Sequence, residues 1–150
     1  MSEDASDLYQ RLVMERARHP LHAGRLAASQ AEAEGNNPMC GDRVRLSLRC
    51  DEAGMITEAA HETRGCAICV ASADILAEIV VGRTASETSQ LAMAFETMVQ
   101  TGIVPAREDF EMLQAFAGVS AYRSRHRCAT LPWQALSAAM EKRKELEHGR

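Results

Sequence analysis

Residues Arg43 to Cys50 constrain this chain more than any other stretch. Val44, Leu46, Leu48 and Cys50 alternate with Arg43, Arg45, Ser47 and Arg49. A period of two gives a strand with one buried face and one basic, wet face. Asp51-Glu52-Ala53-Gly54 comes next with hairpin chemistry, and Met55 to Thr63 returns as the partner strand. The chain must therefore build an antiparallel sheet and find something apolar to cover one side of it.

The segment after the hairpin supplies the cover. Ile68, Ser72, Ile75, Leu76, Ile79 and Val80 recur at helical spacing from Cys66 to Val81, between Gly65 and Gly82. A second helix is expected over Ser86 to Thr101, with Thr84 or Ser86 as its cap. Gly102 to Glu108 reads as a linker and Asp109 to Phe116 as a short helix broken by Gly118. A last helix is expected from Tyr122 into the charged tail, with Pro132 a local objection inside it. Before the hairpin, Asp4 to Arg18 reads as an amphipathic helix ended by Pro20. A short strand is expected around Ala27 to Glu34. One α+β domain over residues 1–150 results, a small antiparallel sheet with helices packed on one side.

The chemistry centres on Asn36-Asn37-Pro38-Met39-Cys40-Gly41-Asp42, just ahead of the clearest strand. Pro38 stiffens the approach to Cys40, and Gly41 can take angles that let Cys40 and Asp42 converge. A thiolate beside a carboxylate asks for a cation. Cys66 lies at a predicted helix N-terminus, where free N–H groups stabilise a thiolate. Cys128 follows Arg125 by three positions, which places a guanidinium on the same helical face. Cys40, Asp42, Cys66 and Cys128 form a reasonable tetrahedral zinc set, three sulfurs and one oxygen. They are not paired CxxC knuckles, and buried free cysteines also serve as ordinary core residues.

Composition narrows the rest. With 17 basic and 21 acidic residues the chain carries net charge −4, which argues against a nucleic-acid surface. Five cysteines are an odd number for a disulfide framework and favour a reducing, cytoplasmic setting. No apolar run is long enough for a membrane span.

The motifs carry a family resemblance. Asn37-Pro38-Met39-Cys40-Gly41-Asp42-Arg43-Val44-Arg45-Leu46 resembles the NPxCGDxxxL block of the U-type iron–sulfur assembly proteins. Gly65-Cys66-Ala67-Ile68 with Ala71-Ser72-Ala73 resembles their second block. Arg125-His126-Arg127-Cys128-Ala129-Thr130-Leu131 and Trp133-Gln134-Ala135-Leu136 resemble the third block of the SufU branch, and Leu8-Tyr9 to Val13-Met14 the N-terminal helix. Three further features fit that branch rather than IscU. The segment from Gly102 to Arg127 is long, the LPPVK chaperone motif is missing, and Arg127 stands where IscU has histidine.

The resemblance implies a SufE/NifU-like fold with zinc held by three cysteines and the aspartate. It implies that Cys40 accepts persulfide sulfur from a SufS-type cysteine desulfurase, a pyridoxal-phosphate enzyme, and passes it to downstream iron–sulfur assembly proteins. Cys66, Cys128 and Asp42 would hold the metal, with Arg125 as electrostatic support. Such a protein would act as a zinc-dependent sulfurtransferase. Two alternatives stand beside this: a scaffold building a [2Fe–2S] cluster on the same ligands with transient iron, and a purely structural zinc module.

The chain departs from the family pattern at Cys69, where serine is usual. Cys69 reads either as a small packing residue beneath the site or as a redox partner of Cys66 in a C-x-x-C pair. Cys50 and His61 read as core. His126 is expected to turn away from the site, and His19, His22 and His148 to lie on the surface. Trp133 and Phe116 read as packing.

Overall fold

A computed structural model describes residues 5–39 and 41–148, with side chains over 7–39 and 41–143. Its elements are α1 (Ala5–Arg18), β1 (Ala31–Asn37), β2 (Asp42–Cys50), β3 (Ile56–Arg64), α2 (Ala67–Ile79), α3 (Ala85–Thr101) and α4 (His126–His148). Between α3 and α4 the chain forms 3-10 turns at Glu108–Phe110, Leu113–Ala121 and Arg123–Arg125.

The three strands make one antiparallel sheet in the order β1-β2-β3. The expected hairpin is β2-β3, with Leu46 opposite His61 and Leu48 opposite Ala59. The early strand sits later than its composition suggests, at Ala31–Asn37 rather than 27–34. Pairing with β2, Ala33 against Leu46 and Asn37 against Asp42, overrides the weak local pattern.

Helices α2 and α4 cover one face of the sheet, and α1 packs on α2. Helix α2 is apolar almost all round, with Cys69 and the run from Ala71 to Ala77 buried. That composition fits a helix enclosed on every side. The outer face of the sheet is less wet than the alternation implies. Residues 21–29 cross it, where the Leu26 N–H donates to Ser47 Oγ at 3.1 Å and buries that serine. The same segment pairs with β3 around His61, closing that sheet edge.

Helix α3 begins with Thr84 as a side-chain N-cap bonded to Glu87. Thr84 Oγ1 accepts from the Glu87 N–H at 3.3 Å while its hydroxyl donates to the Glu87 carboxylate at 3.1 Å. Phe95 on α3 stacks on Trp133 of α4 at 4.6 Å and meets Phe116 edge-on at 5.7 Å, so both rings pack as expected.

Two expectations fail between α3 and α4. The short α-helix over 109–116 is instead two 3-10 turns, and the second runs through Gly118 without breaking. Helix α4 starts at His126, four residues after Tyr122, because a separate turn intervenes. Pro132 does not restart α4, which is helical on both sides of it. Proline removes the bond to the Cys128 carbonyl and crowds the preceding turn. The neighbouring Ala129 carbonyl accepts the Ser72 hydroxyl at 2.6 Å, and Trp133 Nε1 donates to that same Ser72 oxygen at 3.2 Å. A side chain from α2 thus reinforces the turn that proline weakens.

Candidate metal centre

The loop from β1 to β2 is fixed from both ends. Asn37, buried at its start, accepts the Gly41 N–H at its carbonyl at 2.8 Å. Its side-chain oxygen accepts the Met39 N–H at 3.2 Å, an Asx turn. Gly41 takes φ of +75°, a left-handed angle suited to glycine. Cys40 lies outside the described residues.

Asp42 opens β2 and is buried, with its carboxylate against the backbone of Gly65. A Cβ at position 65 would lie 2.5 Å from Asp42 Oδ1 and 2.9 Å from its Cγ. Glycine there does more than punctuate a helix, since it leaves the space that the carboxylate fills. Cys66 comes next, half-buried, as the N-cap of α2 with φ −70° and ψ 167°. Its side chain makes no capping bond, so the sulfur is not engaged with the helix end. Cys128 reaches the same point from the first turn of α4 and is 1% exposed.

Donor atoms of Asp42, Cys66 and Cys128 all lie within 4.8 Å of one another. Bond lengths to zinc put donor atoms about 3.6–3.8 Å apart in a tetrahedral site. The set therefore fits zinc in both chemistry and scale.

Electrostatics point the same way. Burial pushes the Cys128 thiol well above its ordinary pKa, and hydrogen bonding and charge from Asp42 and Cys66 push it further. The exposed Arg125 guanidinium hydrogen-bonds Cys128 and feels the charge of both sulfurs, which raises its own pKa. Arg125 reaches them from the Arg123–Arg125 turn rather than from a helix shared with Cys128. His126 turns away, its Nε2 at 3.1 Å from the Ser120 carbonyl. Cys50 and Cys69 are core residues, and the four described cysteines form no disulfide.

A second buried polar cluster lies farther along α2, and sequence reasoning missed it. Asp74, fully buried, accepts Arg16 Nε at 2.6 Å, the Leu21 and His22 N–H groups at 3.0 and 2.8 Å, and stands 3.0 Å from His61 Nε2. Burial opposes its charge. Hydrogen bonds from His61, the two N–H groups and Arg16 outweigh burial and hold the carboxyl well below the usual range. His61 is core as expected, but His22 is not a plain surface residue, since its backbone binds Asp74 and its ring lies 3.6 Å from Glu78. An aspartate inside Ala71-Ser72-Ala73-Asp74-Ile75 was the available signal.

This fold and donor set agree with the family whose model matches the chain, the NifU-like N-terminal domain, over residues 8–143. The chain belongs to that family. Among its relatives, the iron–sulfur cluster assembly scaffold protein IscU of Streptococcus pyogenes serotype M1 is 33% identical over 141 residues, covering 94% of this chain and 87% of the relative. The zinc-dependent sulfurtransferase SufU of Bacillus subtilis is 32% identical over 135 residues, covering 90% of each. A nitrogen-fixing NifU-like protein (N-terminal) from Brucella abortus superposes with TM-score 0.84 at 28% identity, covering 93% of this chain and 96% of its own. A SUF-system scaffold protein described as putative, from Fervidobacterium islandicum AW-1, gives TM-score 0.81 at 27% identity, covering 91% and 99%. Among the described residues no helix is long and apolar enough to cross a membrane.

Proposed function

We propose that this protein serves iron–sulfur cluster assembly as a zinc-holding sulfur acceptor, taking persulfide sulfur from a SufS-type, pyridoxal-phosphate-dependent cysteine desulfurase. The observation that carries the reading is the convergence of Asp42, Cys66 and Cys128 donor atoms within 4.8 Å, in a family whose Bacillus subtilis member is named a zinc-dependent sulfurtransferase. Cys40 is assigned as the fourth ligand and as the acceptor. Bound zinc supplies the charge that keeps these thiols deprotonated.

Asp42 is the ligand whose loss the site can best tolerate, since three thiolates would remain. Arg125 offsets negative charge at the exposed edge, where it also meets an incoming persulfide. Cys40 as thiolate attacks the outer persulfide sulfur; the sulfur–sulfur bond breaks and the desulfurase thiolate leaves. The sulfane sulfur then rides on Cys40 to a downstream assembly protein.

A second reading is favoured by the naming of the Streptococcus relative as a scaffold: the same ligands would hold a [2Fe–2S] cluster. Cys40→Ser separates acceptor from bystander. It should abolish stimulation of a cysteine desulfurase while binding persists, and wild type quenched early in turnover should carry the first added sulfur atom on Cys40. Desulfurase-derived sulfur reaching Cys66 or Cys128 in the Cys40→Ser protein would overturn the assignment of roles.

A further inference from the structure

Cys66 and Cys69 occupy the N-cap and the third position of α2. They differ sharply in access. Cys66 is half-buried at the mouth of the site, whereas Cys69 is fully buried one turn below. An incoming sulfur species can therefore reach only Cys66, and only an internal reaction can reach Cys69. That asymmetry is what an attacking and a resolving thiol require.

We propose, building on the sulfur-acceptor reading, that the pair is a reducing dithiol that converts sulfane sulfur on Cys66 into sulfide. In the first step the Cys66 thiolate attacks the terminal sulfur of a persulfide, carried by Cys40 or by a low-molecular-weight thiol, and the donor thiolate leaves. In the second, Cys69 attacks Sγ of Cys66. A Cys66–Cys69 disulfide forms, the bond to the terminal sulfur breaks, and that sulfur departs as hydrosulfide with the Cys69 proton. The two thiols lose two electrons and the sulfane sulfur gains two. An external dithiol then reduces the disulfide and resets the pair. Sulfide is the oxidation level that a cluster contains, so the reaction matches the proposed role.

Geometry permits the closure. Positions three apart on a helix have Cβ atoms about 5–6 Å apart, against about 4 Å in a disulfide. Cys66 lies outside the helix at ψ 167° with no side-chain cap bond, so its side chain is free to rotate without unwinding a turn. Cys66 is also the one partly exposed member of the clustered Asp42, Cys66 and Cys128 set, the other two being buried, and so the one able to leave a metal towards the mouth.

The test uses full-length zinc-loaded protein, stripped of reductant and given one equivalent of glutathione persulfide. Released sulfide is measured, and peptides spanning residues 66–69 are mapped by mass. Wild type should release close to one sulfide per chain and gain the 66–69 crosslink. Cys69→Ser should keep the added sulfur as a persulfide and release at least about tenfold less sulfide. Cys69→Ala serves as a second variant if serine in this buried position impairs folding. Persulfide retained equally by wild type and variants, with no crosslink, would overturn the dithiol and leave the acceptor reading standing. Failure of every protein to take up sulfur from either glutathione persulfide or a working desulfurase would overturn both.

Discussion

Helix α2 meets one buried carboxylate at its N-terminus and carries another along its length, and the two are accommodated differently. Asp74 meets its counter-charge within the chain: Arg16 donates to it from α1, two N–H groups and His61 complete its shell, and Glu78 takes a second Arg16 nitrogen at 3.0 Å. Asp42 instead shares its space with two cysteine sulfurs, and the nearby guanidinium of Arg125 is exposed and screened by water. The first cluster is complete in itself and fixes α1 to α2. The second gathers groups that repel when ionised, an arrangement suited to receiving a cation. Buried polarity signals a site where acidic donors accumulate, and signals architecture where the chain supplies both signs.

The largest effect should come from breaking the self-sufficient cluster. Asp74→Ala leaves Arg16 buried without its main partner, and losing one member of a buried pair costs about 3–5 kcal/mol. Urea denaturation should show that loss. A change under about 1 kcal/mol would mean that the cluster does not anchor α1. The double variant Arg16→Met with Asp74→Leu should recover much of it, because removing both charges leaves neither stranded.

Metal removal should do less to the fold. A strong chelator should leave α2, α3, α4 and the Asp74 cluster assembled, with unchanged helical circular dichroism. Zinc at one hundred times its Kd would add only about 2.7 kcal/mol by mass action. Unfolding on chelation would instead make the metal a structural element and favour the structural-module alternative.

Gly65→Ala should be milder still and local. The new Cβ displaces the Asp42 carboxylate, so zinc affinity should fall about 10–100-fold, the scale seen when a ligand loses its support. Asp42→Ala should weaken zinc similarly while the protein stays folded. Combining the two should add little, since both remove one ligand. Additive losses in a competitive chelator titration would show that Gly65 acts elsewhere.

The smallest change near neutral pH is an acid titration, which separates the clusters. The Asp74 carboxyl is depressed on folding. Its contribution is therefore fully present above the ordinary aspartate pKa of about 4 and is lost only as pH falls below it. Thiolate ligands take up protons as pH falls, so metal affinity begins to decline at a higher pH than that. Zinc release should precede loss of near-ultraviolet signal on acidification. A single coincident transition would contradict their independence.

These two clusters also mark what the sequence can and cannot disclose. Asp42 and Cys66 stood out beside a strand start and a helix start that local pattern reveals. Cys128 and Arg125, although separated from each other by a turn invisible in the sequence, stood out by residue type and motif. Asp74 did not, since its partners lie 58, 53, 52 and 13 residues away and no period links them. Arg16 sits near the C-terminal end of an amphipathic helix, where a basic residue is unremarkable in sequence, yet it is buried and paired across the core. The β2-β3 hairpin and α2 were legible from strong periodicity. The 3-10 turns at Leu113–Ala121 were not, because their side chains carry an apolar pattern compatible with either helix and tertiary packing selects the tighter one. Gly65 read as punctuation, and its close approach to Asp42 becomes visible only when strand and helix meet in space.

The central claim is that Asp42, Cys66 and Cys128, completed by Cys40, hold zinc. Elemental analysis with an absorption spectrum, on protein purified anaerobically, tests it most directly. The account predicts a colourless protein with one zinc per chain, and zinc content that collapses in Cys66→Ser and Cys128→Ser while Cys50→Ser keeps it. A brown protein carrying iron and acid-labile sulfide would contradict the zinc assignment and make the scaffold reading the right one.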